Sequence, residues 1–497
     1  MIILVGSKID QASIQASLGK PEYSYFFLMK DFLPALEQFG SVRIVNSTDQ
    51  VEALCAEHRI TGEPVVFFSF SPPHQAPLGL SCPTVAVFAW EFDSLPSIAW
   101  DGNSQNDWRH AFARLQGVIC TSQETARLVE QVTTNGLPVA ALPAPIWNRY
   151  ADLGLANGLP VDLGSRQFLF RGTAIDSPVL GLSADGLVRK PEAVVEAKPQ
   201  PVEVPPGRLA EAWRLSKALL QGWWQEVRLP VGPAAVASLT TDAALTVSVP
   251  QPAPGEEPAS DLPLQSIEVR GLVYVTVLNP ADSRKNWVEL ITAFCWAFKE
   301  SEDATLIVKM THHDLEYYRI VLMTLLSRLA PFRCRVLVLH GFLEDDQYRA
   351  LIRASTYYVN ASSGEGLCLP LMEFLCAGKP AIAPVHTAMA DYIDDQLAFP
   401  LKCSLEPFCW PHDPTGIFMT HRHRLNWQSL VEAYRASYGV AKSVPDRYRA
   451  MSRQAFSRMQ TFASVDVVAA PLGALLESVM REREQPAVLS LHGSMAP

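Results

Sequence analysis

Two carboxylates, Glu365 and Glu373, stand eight positions apart in the run Ser363-Gly364-Glu365-Gly366-Leu367-Cys368-Leu369-Pro370-Leu371-Met372-Glu373. An apolar strand pattern over Tyr357-Tyr358-Val359-Asn360 leads into this loop of small residues, and a helix pattern follows with Pro370 near its start. The first acid falls on the loop and the second on the opening turn of the helix. Backbone N–H groups at such a helix start lack intrahelical acceptors and, with the helix dipole, favour an anion. Two acids beside that site repel a bare phosphate. They fit a ligand that gives hydroxyls to the acids and phosphate to the amides, and a nucleotide sugar offers both. The plainer alternative is an ordinary loop with two solvated acids. It leaves the crowding of glycine and serine around them without a reason.

The run resembles the E-x7-E signature of retaining glycosyltransferases of the GT-B fold, particularly family 4 (GT4). The likeness extends to Glu365-Gly366 before the loop, Leu369-Pro370 at the helix start, and Ala377-Gly378-Lys379-Pro380 with an apolar strand after it. It covers residues 272–400 well, 1–145 loosely, and 150–270 not at all. The fold it implies is α/β: two Rossmann-like parallel-sheet domains facing a cleft, interrupted here by a β-rich, proline-rich insert. The activity it implies is metal-independent sugar transfer with no cofactor besides the nucleotide sugar as co-substrate.

Such a transfer needs positive charge for the leaving diphosphate, orientation of the sugar, and removal of the acceptor's proton. Without a metal, basic side chains and helix amides must stabilise the leaving group. The run Asn279-Pro280-Ala281-Asp282-Ser283-Arg284-Lys285-Asn286 follows an apolar strand directly. It resembles the family's loop in which a lysine grips the diphosphate, which gives that role to Lys285 with Arg284 assisting. The family's arginine commonly stands five residues earlier, where this chain has Pro280, so Arg284 substitutes or the loop takes another course. A solvated Arg-Lys pair opening an amphipathic helix is the alternative.

By the same resemblance Glu373 accepts hydrogen bonds from the ribose, Glu365 orients the donor sugar, and the N–H groups of Gly366, Leu367 and Cys368 contact the phosphates. A glycine at 366 lets the backbone come close to a ligand. The family often has an aromatic residue where Leu367 stands. Lys309 ends an apolar strand and either touches a phosphate or the donor sugar, or is a surface strand-end lysine. The loop Gly341-Phe342-Leu343 corresponds to the family's base pocket.

On the acceptor side, Trp90 offers a face to a sugar ring and Glu91 a carboxylate to its hydroxyls; a core tryptophan with a capping acid reads equally well. His74, after Ser71-Pro72-Pro73, is either a cleft histidine with a catalytic role or a structural one. Ser122 is an N-cap. His312-His313 lack a third ligand with metal-site spacing, and His421-Arg422-His423-Arg424 reads as a solvated basic stretch. The chain has no Walker lysine loop and no G-x-S-x-G elbow.

The elements that must hold these residues alternate strand and helix, the mark of βαβ units. Strands are expected at 2–6, 42–46, 65–69, 84–89, 118–121 and 139–142, with helices at 26–39 and 111–115. A second set of strands falls at 272–278, 305–309, 336–340, 356–360 and 380–383, with helices from Trp287 and over 344–355. This divides the chain into a first domain over 1–145, an insert over 150–270, a donor-nucleotide domain over 271–440 and closing helices over 445–485, the last of them crossing back to the first domain. Within the insert, 168–170 and 244–249 read as strands, 209–224 as a helix, and 198–207 as an extended proline segment.

A chain of 497 residues fits two or three domains, and 48% hydrophobic residues suffice for large cores. No apolar stretch in the sequence reads as a membrane span, and Met1–Ser7 reads as a first strand rather than a signal peptide. Nine scattered cysteines suit a reducing, cytoplasmic setting. A formal charge of −10 argues against nucleic acid as a partner, though a local basic patch leaves peripheral association with a membrane open. The expected partners are a nucleotide sugar and a glycan or lipid-linked acceptor. The competing functions are a nucleotide-sugar epimerase of the same fold, for which no cleft acid–base set stands out, and a non-catalytic GT-B scaffold.

Overall fold

The computed structural model describes residues 1–180 and 264–484, apart from positions 12, 21, 100, 101, 135, 313, 411, 412, 414 and 415. The segments 198–207, 209–224 and 244–249, His313, His412 and the C-terminal tail lie outside the described residues.

The first sheet holds β1 (Ile2–Ser7), β2 (Ser41–Ile44), β3 (Val65–Phe70), β4 (Thr84–Phe88), β5 (Gly117–Cys120) and β6 (Val139–Ala141), all parallel, in the order β2-β1-β3-β4-β5-β6. Both faces are covered, so β3, β4 and β5 are buried along their whole length, as apolar runs in a parallel sheet must be. The helices are α1 (Tyr23–Leu36), α2 (Thr48–Thr61), α3 (Trp108–Phe112), α4 (Gln123–Val132) and α5 (Trp147–Tyr150). Ser122 does cap α4, accepting a hydrogen bond from the Thr125 amide.

Two short strands follow, β7 (Arg166–Arg171) and β8 (Thr173–Asp176). β7 pairs with β9 (Leu264–Val269) in a two-stranded ribbon. β8 instead joins the second sheet, antiparallel to its neighbour. The other strands of that sheet are β10 (Leu272–Leu278), β11 (Ala304–Met310), β12 (Arg335–His340), β13 (Tyr357–Val359), β14 (Ala381–Pro384) and β15 (Ala398–Leu401). Their order is β15-β14-β13-β10-β11-β12-β8. The chain thus lays β11 and β12 to one side of β10 and β13 to β15 to the other. Ligands of doubly wound sheets bind beyond the carboxyl ends of the strands where this reversal occurs, here between β10 and β13. Helices α6 (Trp287–Ala297), α7 (Leu315–Leu329), α8 (Asp345–Ala354) and α9 (Leu369–Cys376) connect these strands. Two parallel-sheet domains are the GT-B architecture that the resemblance implies.

A hairpin, β16 (Cys403–Cys409) with β17 (Met419–Leu425), projects from the second domain. It contains the basic stretch read as solvated. Thr420 Oγ1, the His421 amide and His421 Nδ1 all reach Asp93 of the first domain, at 2.9, 3.0 and 2.8 Å. Three helices close the described chain: α10 (Trp427–Ser443), α11 (Pro445–Ala463) and α12 (Val465–Glu484). The stretch Pro445–Arg481 does have the length and hydropathy of a membrane span, against the sequence reading. It is two helices broken at Ser464, and half of its most apolar part is buried inside the protein. α12 packs on α1 and β6 of the first domain.

That docking has a steric signature. A Cβ on Gly117 in β5 would stand 2.8 Å from Val479 Cγ2 on α12 and 3.3 Å from Val85 Cγ2. Gly117→Ala is expected to cost roughly 1–3 kcal/mol through overpacking, read as a lower urea midpoint at unchanged m-value.

Candidate functional site

The site forms where the loops after β10 and β13 meet. Beyond β10, Asn279 Oδ1 accepts the Ala281 amide at 3.0 Å, and Asp282 caps a short 3-10 turn over Ser283–Lys285 by accepting the Arg284 amide at 3.1 Å. Asn286 takes a left-handed φ of 46°, a conformation that asparagine tolerates better than most residues, and so turns the chain into α6. Its Nδ2 then donates to the Ala361 carbonyl at 2.8 Å and to Ser363 Oγ at 3.0 Å, while the Ser363 amide donates to the Arg284 carbonyl at 2.8 Å. Segments some eighty positions apart are thereby stitched together by side chain and backbone.

Lys285 Nζ lies 2.7 and 2.8 Å from the two oxygens of Glu365. Glu365 is buried and also accepts from Ser362 Oγ at 2.5 Å and Asn360 Nδ2 at 3.1 Å. Burial alone would raise its pKa. Lys285, Arg284 and the Ser362 hydroxyl outweigh that and hold it down at about 2. Arg284 is held in a fork by Asp282, with Nη2 at 2.7 Å, and its Nη1 reaches Glu91 at 3.1 Å and the Gly364 carbonyl at 3.0 Å. Glu91, the acceptor-side candidate, thus faces the donor-side arginine. Burial pushes its carboxyl upward, and Arg284 offsets part of that.

The N–H groups of Gly366, Leu367 and Cys368 find no acceptor among the described residues, while Thr121 Oγ1 and Tyr392 OH occupy the carbonyls of Gly366 and Leu367 at 2.6 and 2.7 Å. Cys368 sits at φ 64° ahead of α9, and Asn360 Nδ2 donates to its sulfur at 3.0 Å. The glycine at 366 has a reason that the sequence did not show. A Cβ there would lie 2.8 Å from both Ala89 Cβ and the Trp90 amide nitrogen, so the close approach is to the first domain's own backbone. Gly364 is in the same position against the Glu91 carbonyl, at 2.7 Å.

Glu373 is buried on α9. It accepts from Tyr348 OH on α8 and from Tyr150 OH on α5, the latter at 3.3 Å, and burial raises its pKa despite both hydroxyls. Neither tyrosine was singled out from sequence. Tyr348 was findable, because it lies in a helix whose start Asp345 and Asp346 announce.

The remaining candidates separate. Lys309 is not a surface lysine: it is 3% exposed in β11. Gly341, at φ 148°, begins the loop after β12, with Leu343 buried and Phe342 partly so. Trp90 presents no open face. It is buried among Phe92, Trp108 and Trp410, its Nε1 donating to the Ser94 carbonyl at 2.7 Å, so it is packed between the first domain and the β16–β17 hairpin. His74 stacks on Trp108 with ring centres 5.8 Å apart, in that same aromatic group rather than in the Lys285–Glu365 cluster. His312 accepts the Asp314 amide at 2.9 Å, and Asp314 caps α7. His423 stacks flat on His386 at 4.0 Å, beside the Glu365 loop, a pairing the basic run did not suggest.

The cavity among Lys285, Glu365, Asn360 and Tyr358 measures about 10 Å³, room for one water.

No family model matches the chain, and no curated protein matches it. Among solved structures it is similar to the pneumococcal O-GlcNAc transferase GtfA in complex with UDP and GlcNAc, 12% identical over 86% of this chain and 60% of that one, with a TM-score of 0.42. It is also similar to Anabaena HepE in complex with UDP, 13% identical over 96% and 100%, TM-score 0.46. A third is the α,α-trehalose 6-phosphate synthase of Burkholderia multivorans, 12% identical over 97% and 99%, TM-score 0.48. The chain spans about 60% of the length of the first of these.

Lys285→Met leaves the Glu365 carboxylate buried without its counter-charge. The expected loss is roughly 3 kcal/mol, the low end for a broken buried pair, because Lys285 keeps 20% of its side chain exposed. The double variant Lys285→Met/Glu365→Gln should recover most of it in urea unfolding. The intact pair stabilises fully above the unfolded carboxylate pKa, and that contribution is lost as pH falls through about 2. In Lys285→Met the sign reverses, so its deficit should shrink as pH is lowered from 8 to 5.

Proposed function

We propose that the protein is a retaining, metal-independent glycosyltransferase of the family 4 type. It would move a hexosyl group from a nucleoside-diphosphate sugar to a hydroxyl of a glycan or lipid-linked acceptor. The observation that carries this reading is the meeting of Arg284 and Lys285 with Glu365 and three unengaged backbone N–H groups at the strand-order reversal of the second sheet. Cations and amides there suit a diphosphate, and a carboxylate fixed beside them suits sugar hydroxyls.

In this reading Lys285 and Arg284 take the charge that develops as the diphosphate leaves. The acceptor hydroxyl attacks from the face the diphosphate vacates, through an oxocarbenium-like state that Glu365 favours by its charge, and passes its proton to the departing diphosphate oxygen. Glu373 holds the ribose, exchanging a tyrosine hydroxyl for a ribose hydroxyl. Glu91 lies on the acceptor side and leaves Arg284 when phosphate arrives. Closure of the two domains over the donor excludes water and limits its hydrolysis. A cytoplasmic role in bacterial polysaccharide or glycoconjugate synthesis, with peripheral contact to the inner membrane face, fits a chemistry that uses soluble donors and lipid-linked acceptors.

One observation favours a second reading, the non-catalytic scaffold: each loop cation is paired with the protein's own carboxylate, and the cavity between them is small. Incubation with a panel of UDP- and GDP-sugars separates these two, and the epimerase as well. Slow release of UDP or GDP without acceptor is expected of the transferase, an epimerised sugar would indicate the epimerase, and no binding of any donor the scaffold. Lys285→Ala should lower turnover by roughly a hundredfold or more, and Glu373→Ala should mainly weaken nucleotide binding. Normal turnover in Lys285→Ala removes that residue from the mechanism.

A further inference from the structure

The cations of the loop after β10 are already spent. Arg284 and Lys285 stand against three carboxylates, Asp282, Glu91 and Glu365, so the cluster holds no spare positive charge for a diphosphate. Lys309 differs. It is buried in β11, yet among the described residues its ammonium has no hydrogen-bond acceptor and no ion-pair partner. The strand register sets Val277 and Leu339 on either side of it, and neither titrates. The titratable and charged groups on the elements covering this face of the sheet include Tyr358 on β13, Asp345, Tyr348 and Arg349 on α8, Cys368 at the start of α9, Glu373 and Cys376 on α9, and Arg149 and Tyr150 on α5. Glu373 is engaged by Tyr348 and Tyr150, and Tyr358 OH by the Val277 backbone. Another buried lysine, Lys379, shows the ordinary solution, since its Nζ donates to the carbonyls of Arg353 and Ser355 at 3.2 and 2.8 Å.

An ammonium without a partner, on a residue only 3% exposed, is poorly hydrated and costs stability, and groups of this kind cluster at functional sites. Its place is informative. β11 lies between β10, whose loop carries Arg284 and Lys285, and β12, whose loop is Gly341-Phe342-Leu343. Adjacent strands are about 4.8 Å apart. A nucleotide with its diphosphate at the first loop and its base at the second passes over the end of β11.

We propose that Lys309 is the reserve cation of the donor site, which binds a proton from solvent as a nucleoside diphosphate sugar enters and so adds a charge to those of Arg284 and Lys285, each of which must first leave a carboxylate. The proposal rests on the transferase reading of the site. Before the ligand enters, burial holds the amine down at about 7, with no neighbouring charge opposing it. The bound phosphate raises that value. Affinity is therefore greatest below pH 7 and falls as pH rises through it.

The test is calorimetric titration of the full chain with UDP-glucose and GDP-mannose at pH 6, 7 and 8, in two buffers of different ionisation heat. These donors serve as probes because both phosphates are diesters and do not titrate in that range. For the donor that binds, the expected Kd is roughly tenfold higher at pH 8 than at pH 6, with net proton uptake at pH 8. Lys309→Met should bind at least tenfold more weakly at pH 6, lose the pH dependence, and melt no lower than the wild type. A wild-type Kd that is flat in pH without proton uptake overturns the proposal even if Lys309→Met does not fold. So does a Lys309→Met variant that binds as the wild type. Both of those outcomes leave the transferase reading standing, whereas a wild-type protein that binds no nucleotide sugar ends both.

Discussion

A half-buried ammonium and a buried carboxylate hold each other where two crossover loops converge, and the arrangement of both loops follows from that pair. Lys285 and Glu365 could not share a low-dielectric site unless every other lone pair were satisfied. Ser362 and Asn360 do this for Glu365, while Asn286 and Ser363 lock the loops that present the two charges. The pair needs β10 and β13 to be neighbours, and that adjacency exists only because the chain reverses direction across the sheet after β12. Topology, rather than sequence proximity, puts the charges together.

The second constraint is how closely the first domain approaches. Gly364 and Gly366 have no side chain because the carbonyl of Glu91 and the backbone of Ala89 and Trp90 occupy the space one would take. The same approach brings the Glu91 carboxylate onto Arg284 and Thr121 onto the Gly366 carbonyl. The protein thus meets the needs of its own cations with carboxylates. Any phosphate that binds must exchange with them, and its binding energy is reduced by the ion pairs it breaks. On the proposed reading, a basic site thereby stays compatible with the close approach of the two domains when no phosphate is bound.

The parts legible in the sequence are those fixed by burial on two sides. The expected strands 272–278 and 65–69 read as unbroken apolar runs because helices cover both faces of each sheet, and they match β10 and β3 closely. The loop acids and the Arg-Lys pair were legible because glycine, serine and proline punctuate the strand ends. The β16–β17 hairpin was not, since Glu406, His421, Arg422 and Arg424 interrupt any period-2 apolar pattern and its contacts are made through Asp93 of the other domain. α2 was missed for a similar reason: only Val51, Cys55 and His58 are buried along its 14 residues. Trp90 shows the converse error. An aromatic at a strand end reads as a possible sugar platform, but whether its face is open depends on Trp108 and Trp410, which come from distant segments.

The opposite wall of the cleft is ionic as well. Arg149, on α5 after the first sheet, joins Asp31 on α1 at 3.0 Å and Asp345 at the start of α8 at 2.9 Å, so one side chain spans both domains. Tyr150, its neighbour, holds Glu373. Meanwhile a single apolar cluster runs from Phe32 and Phe70 of the first domain to Leu371 and Met372 of the second. Apolar packing is non-directional and tolerates small sliding, whereas ion pairs are switched by charge. An interface built this way can keep its apolar core while its two charged edges exchange partners. A ligand carrying phosphate at one end and hydroxyls at the other acts on both edges: Glu91–Arg284 and Lys285–Glu365 on one side, and Glu373 with its tyrosines on the other. On the proposed reading, opening and recognition draw on the same few groups, which is why carboxylates would stand beside the proposed anion site.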